Sequence, residues 1–322
     1  MYCLHPIKIR KREYQEWTDE EWNALPPRLR VLNTRSDGKR KKKVLPWNGE
    51  YMELPCGRCL ACIDRRATDW TLRLLSEEYN SKQSVFITLT YDEDHKPHAG
   101  KVCRMDVQRF NDTLRSHMDK LKIKVRFFLM SEYGPETFRP HYHGIYFFDG
   151  KVFKHYVEFA QWLEQHAWKC GSVTCSYPFG PRIHYIARYS FKLLSLPDHL
   201  KDTNFMLCSR RPGIGAGYID NPQFRAYLSD HVSPMVMTVD GHRRLPRYYR
   251  DKVYSEEQKE EIKIQYDEYM QSRFAKFCEK YGSLLSLDEL EREYDLTQNN
   301  DRETWLRRKK KIYMKQGKVF KL

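Results

Sequence analysis

The chain has 322 residues, enough for one large domain or two smaller ones with a real core. Of these, 40% are hydrophobic and 14% aromatic, which excludes a disordered polymer, and no run approaches the ~20 consecutive apolar residues of a membrane span. Lysine and arginine total 57 against 43 acidic residues, and a net charge of +14 favours a polyanionic partner whose phosphates release counterions on contact. The opening MYCLHPIKIRKREY carries charge but no apolar segment of the kind a signal peptide needs. Nine cysteines, an odd number, therefore read as reduced thiols or metal ligands rather than a disulfide framework.

Residues 1–50 are polar and show no regular period. They hold the basic run Lys39, Arg40, Lys41, Lys42 and Lys43 after Gly38, an exposed loop suited to phosphate contact or simply solvated. Cys56, Cys59 and Cys62 follow at two-residue intervals and lead into a helix whose apolar stripe is Ile63, Ala67, Trp70 and Leu74. With Cys3 as a fourth ligand, these cysteines could hold a structural Zn²⁺; buried free thiols are the alternative. Ser84–Thr90 (SVFITLT) reads as a strand, and Val107, Phe110, Leu114, Met118 and Leu121 mark an amphipathic helix from about Asp106. Strands follow over 124–131 and 143–148, joined by a tight connection containing Gly134, Pro135 and Pro140. Helices are expected over 153–167, about 182–194 and 255–281. Between them, Ser209–Gly217 offers arginines (Arg210, Arg211) and glycines that could approach a phosphate backbone, or form a flexible loop. Residues 307–321 are basic and resemble a nucleic-acid-binding tail. The pattern strand, helix, strand, turn, strand predicts an α+β fold with a central antiparallel sheet and flanking helices.

Two constellations carry chemistry. In Arg139–Gly144 (RPHYHG), His141 and His143 are two apart, so on a strand they face the same side while Tyr142 faces the other. Two imidazoles so placed can share a divalent ion (Mg²⁺ or Mn²⁺), with Glu132 on the neighbouring strand as third ligand and positions left open for a substrate oxygen. Glu136 is nearer in sequence but lies in the turn, and His184 is a further alternative. In the second constellation, Tyr185, Tyr189 and Lys192 fall on one helical face, with Ile186 and Leu193 opposite. A phenolate there can attack a phosphodiester while the ammonium group holds nucleic acid or stabilises developing charge.

These segments resemble the HUH superfamily of rolling-circle replication and mobilisation nucleases. His141-Tyr142-His143 matches its histidine motif, Ser84–Asp92 its first motif and Tyr185-x-x-x-Tyr189-x-x-Lys192 its two-tyrosine nucleophile motif. A closer resemblance is to the replication initiators of the Microviridae, in the gokushovirus group. It is carried by Pro55–Cys59, Phe128–Gly144, Tyr185–Lys192, Ser209–Gly215 and Leu245–Tyr249, over roughly residues 50–250. The resemblance implies an RRM-like palm with the histidines on a middle strand and the tyrosine helix alongside. It divides the chain into a basic N-terminal segment with the cysteines and a helix (1–80), a nuclease core (81–250) and a helical, basic C-terminal region (251–322). It implies nicking and rejoining of single-stranded origin DNA through a 5′-phosphotyrosine link, in the host bacterial cytoplasm. No Gly-x-x-x-x-Gly-Lys-Ser/Thr motif occurs, so a host replication helicase would separate the strands and a host polymerase extend the 3′ end. A nuclease using water, a non-catalytic nucleic-acid-binding module and a zinc-stabilised structural protein are the competing readings.

Overall fold

A computed structural model describes residues 3–97, 100–134, 136–178, 180–187, 196–201, 203–238 and 241–281, with single positions between 289 and 307. The chain divides into two units, residues 1–62 and 63–322.

The first unit contains β1 (Ile7–Arg10), β2 (Tyr14–Gln15), α1 (Asp19–Ala24), α2 (Pro27–Leu32), β3 (Lys43–Val44) and β4 (Tyr51–Leu54). β1 pairs antiparallel with β4, Ile7 opposite Leu54, and β2 pairs with β3. Thr18 starts α1 with a capping box: its hydroxyl accepts the Glu21 N–H and the Glu21 carboxylate accepts the Thr18 N–H. The expectation of an irregular first 50 residues is thereby corrected. These strands and helices are two to six residues long, too short to leave a period in the sequence. None of residues 3–60 is buried, so no apolar alternation marks them either.

The second unit is built on α3 (Leu60–Asn80), whose first three residues belong to the first unit, followed by β5 (Gln83–Tyr91), α4 (Arg104–Lys120), β6 (Val125–Tyr133), β7 (Pro140–Phe148), α5 (Tyr156–His166), β8 (Gly171–Ser176) and α6 (Gly180–Ala187). There follow α7 (Asp198–Lys201), β9 (Met206–Cys208), α8 (Gly217–Asp220), α9 (Pro222–Asp230), β10 (Met235–Thr238), β11 (Gly241–Arg244), α10 (Arg247–Val253) and α11 (Glu256–Tyr281). Five strands make one antiparallel sheet in the order β8-β5-β7-β6-β9, with β7 in the middle.

Alternation along these strands splits the core in two. On one face, Val85, Ile87, Leu89 and Tyr91 of β5, Phe127 and Leu129 of β6, and Tyr142, Tyr146 and Phe148 of β7 pack under α4 and α5 with Trp168. Four residues of the expected α4 stripe are buried there, but Leu121 is 60% exposed because it caps the helix end. On the other face, Phe86, Phe128, Met130, Ile145 and Phe147 meet Leu74 of α3 and Ile183, Ile186 and Ala187 of α6. A smaller cluster of Ile219, Leu228, Val236, Leu245, Tyr249, Tyr254 and Ile262 packs with Leu72 of α3 and runs continuously across residue 250. No helix among the described residues is long and apolar enough to cross a membrane.

The segment 209–217 is neither a flexible loop nor an open phosphate cradle. Arg126 pairs with Glu77 and donates to the carbonyls of Pro212 (3.0 Å) and Gly213 (2.9 Å). The Glu77 carboxylate accepts the Gly215 N–H at 2.6 Å, and Arg73 Nε donates to the Ile214 carbonyl at 2.9 Å. Gly215 has φ +79°, and a Cβ there would stand 2.4 Å from the Tyr249 hydroxyl. A glycine at this turn therefore admits a buried aromatic side chain.

Candidate active site

β7 begins at Pro140, so both histidines are strand residues on the face that carries Ile145 and Phe147. The β6–β7 register sets Glu132 opposite His141 and Met130 opposite His143, on the same face. The carboxylate leans along the sheet: Glu132 Oε2 is 2.7 Å from His143 Nε2, with both side chains largely buried. A carboxylate oxygen and an imidazole nitrogen at that distance need a proton or a cation between them. From β5, the Thr88 hydroxyl lies 3.0 Å from His143 Nδ1 and fixes the ring from its other side.

His141 stands further off. Its ring is almost parallel to that of His143, with centroids 6.5 Å apart, and its Nδ1 is 2.7 Å from the Arg139 carbonyl. An Nδ1–H donated to that carbonyl leaves Nε2 with the lone pair a metal requires. Burial, and then the neighbouring His143, hold the His141 imidazole below its usual pKa. The three donors fit a hard divalent ion in kind, two imidazoles and a carboxylate, but they are not gathered within 4.8 Å of one another. Arg139 braces the turn before the histidines by donating to the Tyr91 carbonyl at 2.6 Å.

Tyr142 points to the opposite face and is wholly buried. Its hydroxyl accepts the Cys103 N–H at 2.6 Å and lies 2.9 Å from the Tyr91 hydroxyl, which donates to Asp106. Burial pushes the Tyr142 phenol well above its usual pKa, so it is a structural residue and no nucleophile.

Of the tyrosine motif, Tyr185 lies in α6, on the histidine face of the sheet; its side chain is outside the described residues, as are that of His184 and all of Tyr189 and Lys192. α6 ends its described course at Ala187, so the expected helix over 188–194 also falls outside. Arg182, in the first turn of α6, does not stand out in the sequence. Its guanidinium is 5.7 Å from the Phe86 ring, which is itself 5.7 Å from the His143 ring. A signal exists nonetheless: 182, 185 and 189 are spaced i, i+3, i+7, one helical stripe. Thr88 is likewise hidden, since a threonine in a β-branched run reads as strand propensity.

The remaining expected residues lie apart from this face. In the first unit, Arg40 pairs with Asp19 (2.7 Å), Lys42 with Glu16 (3.1 Å) and Lys43 with Glu21 (2.5 Å), while Lys41 donates to the Leu32 carbonyl. Lys39 is exposed beside them, and exposed pairs of this kind are weak enough to yield to a phosphate. Arg210 and Arg211 are exposed at the pinned turn. Cys3, Cys56, Cys59 and Cys62 form one cluster in the first unit.

A buried histidine–carboxylate pair beneath a tyrosine-bearing helix is the feature to set beside known proteins. The family of replication-associated protein ORF2 matches residues 84–194, the stretch that runs from β5 through α6. More particularly, the chain is similar to the replication-associated protein ORF2 of Spiroplasma virus 4, 26% identical over 242 residues, covering 69% of this chain and 74% of the relative. It is 25% identical to the replication-associated protein ORF4 of Chlamydia phage 1, covering 70% of this chain and 60% of the relative. It is also 25% identical to the replication-associated protein VP4 of Bdellovibrio phage phiMH2K, covering 78% and 76%. The chain is thus a relative of microvirus replication proteins, the resemblance its motifs implied. No solved structure matches it significantly.

Proposed function

We propose that the chain initiates phage DNA replication as an endonuclease that nicks and rejoins single-stranded origin DNA, with its five-stranded sheet as the palm of an HUH nuclease. The observation that carries this reading is that Glu132, His141, His143 and the helix bearing Tyr185 share one face of the sheet, with the histidines on the middle strand. The replication role of the relatives supports it.

In this reading Tyr185 or Tyr189 attacks phosphorus as the phenolate, having lost its proton. A phosphorus–tyrosine oxygen bond forms, the bond to the 3′ oxygen breaks, and that oxygen takes up a proton to leave a free 3′ hydroxyl. The number of phosphate ester bonds is unchanged, so a 3′ hydroxyl can later reverse the step and reseal the strand. Glu132, His143 and, after rotation about its side-chain bonds, His141 would hold a Mg²⁺ or Mn²⁺ ion, which would offset charge gathering on the scissile phosphate. Thr88 and the Arg139 carbonyl keep the two imidazoles in the tautomer that offers Nε2. Arg182, on the stripe of the two tyrosines, is suited to hold a neighbouring phosphate, and Lys192 to stabilise charge at the attacked one. The host cytoplasm supplies helicase and polymerase.

The test is incubation with labelled single-stranded origin DNA and Mn²⁺ or Mg²⁺, followed by a denaturing gel. A metal-dependent protein-linked label, lost in Tyr185→Phe/Tyr189→Phe and in His143→Ala, is expected. Cleavage without any linked label would assign the attack to water, and binding without cleavage would leave a DNA-binding module.

A further inference from the structure

We propose that Cys3, Cys56, Cys59 and Cys62 bind one zinc ion as a closed, structural tetrathiolate site that holds the first unit together.

The four Sγ atoms lie within 4.8 Å of one another, although Cys3 and Cys56 are 53 positions apart. Strand pairing makes the meeting: β1 and β4 run antiparallel with Ile7 opposite Leu54, so Cys3 before β1 arrives beside Cys56 after β4. Cys59 and Cys62 then follow at the start of α3. Cys3 Sγ and Cys59 Sγ are 3.7 Å apart. That is too far for a disulfide and close to the roughly 3.8 Å edge of a tetrahedron with ~2.3 Å zinc–sulfur bonds.

The backbone is arranged for thiolates. The N–H groups of His5 (3.4 Å) and Cys56 (3.2 Å) point at Cys3 Sγ, and those of Arg58 (3.4 Å) and Cys59 (3.3 Å) at Cys56 Sγ. A thiol sulfur is a weak acceptor, and a thiolate bound to a cation is a much better one. The turn that aims these amides has Gly57 at φ +73°, a conformation a side chain disfavours. Burial opposes charge on Cys56, but the Arg58 and Cys59 amides and the neighbouring thiols outweigh it and bring its pKa to about 6.

An independent observation says why the unit needs such a site. None of residues 3–60 is buried, and Ile7, Tyr14, Val44 and Tyr51 are each at least half exposed. A segment of this size without an apolar core is ordinarily held by disulfides or a metal. Four protein ligands leave no open position, so the ion is structural; its binding displaces the thiol protons to solvent and involves no redox change.

The test begins with full-length protein purified without metal-affinity steps and measured for metal by plasma mass spectrometry. One zinc per chain is expected, retained in His141→Ala/His143→Ala and lost in Cys56→Ser/Cys59→Ser. Should the cysteine variant fold poorly, a mercurial titration of wild-type protein gives the same answer, with one zinc released for four thiols modified. Cobalt-loaded wild type should show sulfur-to-metal charge transfer of a tetrathiolate. Zinc that disappears with the histidines, iron in place of zinc, or metal-free protein with a Cys3–Cys59 disulfide would each overturn the proposal.

Discussion

His143 is held on three sides: Thr88 at Nδ1, Glu132 at Nε2 and Phe86 against the ring. A partner that orients an imidazole typically matters 10- to 100-fold in metal affinity or activity. Thr88→Val, which keeps shape and removes the hydroxyl, should therefore raise the Mn²⁺ needed for half-maximal cleavage by about 10-fold or more. Thermal unfolding alongside the metal titration separates this from a loss of fold. Tyr142 lies between the two histidines yet should behave oppositely. Tyr142→Phe removes the partner of the buried Cys103 N–H and should cost about 1–3 kcal/mol in chemical denaturation while the protein still cleaves. The two histidines and Glu132 were legible because period-two alternation alone assigns the faces of a strand. Thr88 and Arg182 were not, because their value depends on a strand register and a helix start that the sequence leaves open.

Long elements with a buried face announced themselves: β5, β6, β7 and α4 carry unbroken alternation or a helical stripe. β8 buries only Val173 among its six residues, β9 is three residues long, and the β10–β11 hairpin buries Val236 but little else described. Such segments carry too few apolar positions to show a period. The turn 209–217 illustrates a different limit. It is held by Glu77 and Arg126, 49 positions apart in sequence, whose side chains are only 11% and 23% exposed. Glu77→Ala leaves Arg126 and the Gly215 N–H without their carboxylate and should destabilise the protein by about 3 kcal/mol, read as a lower midpoint in urea. A shift under about half a kcal/mol, the range of an ordinary surface change, would mean the turn does not depend on this pair.

Across the whole chain, the charge of +14 was legible at once as an affinity for polyanions, but not where that charge acts. Much of the basic run at 40–43 is engaged with acids of the first unit, so contacts elsewhere, Arg182 among them, must share the phosphate binding. Single-stranded DNA binding should weaken with salt, each phosphate contacted adding about −0.7 to the slope of log K against log salt. Arg182→Ala should reduce that slope by about one contact, measured by fluorescence anisotropy across a salt series. The polar first 60 residues were legible as lacking a core; what closes them instead emerged only when strand pairing brought Cys3 to Cys56. The central claim is covalent attack by a tyrosine of the 185–192 segment, and trypsin offers a direct measurement. Cleavage after Arg182, Arg188 and Lys192 puts Tyr185 and Tyr189 on separate peptides, 183–188 and 189–192. After reaction with origin DNA and nuclease trimming, mass spectrometry should find a nucleotide joined through phosphate to one of these peptides. Cut DNA with both peptides unmodified, and no adduct elsewhere, would contradict the account.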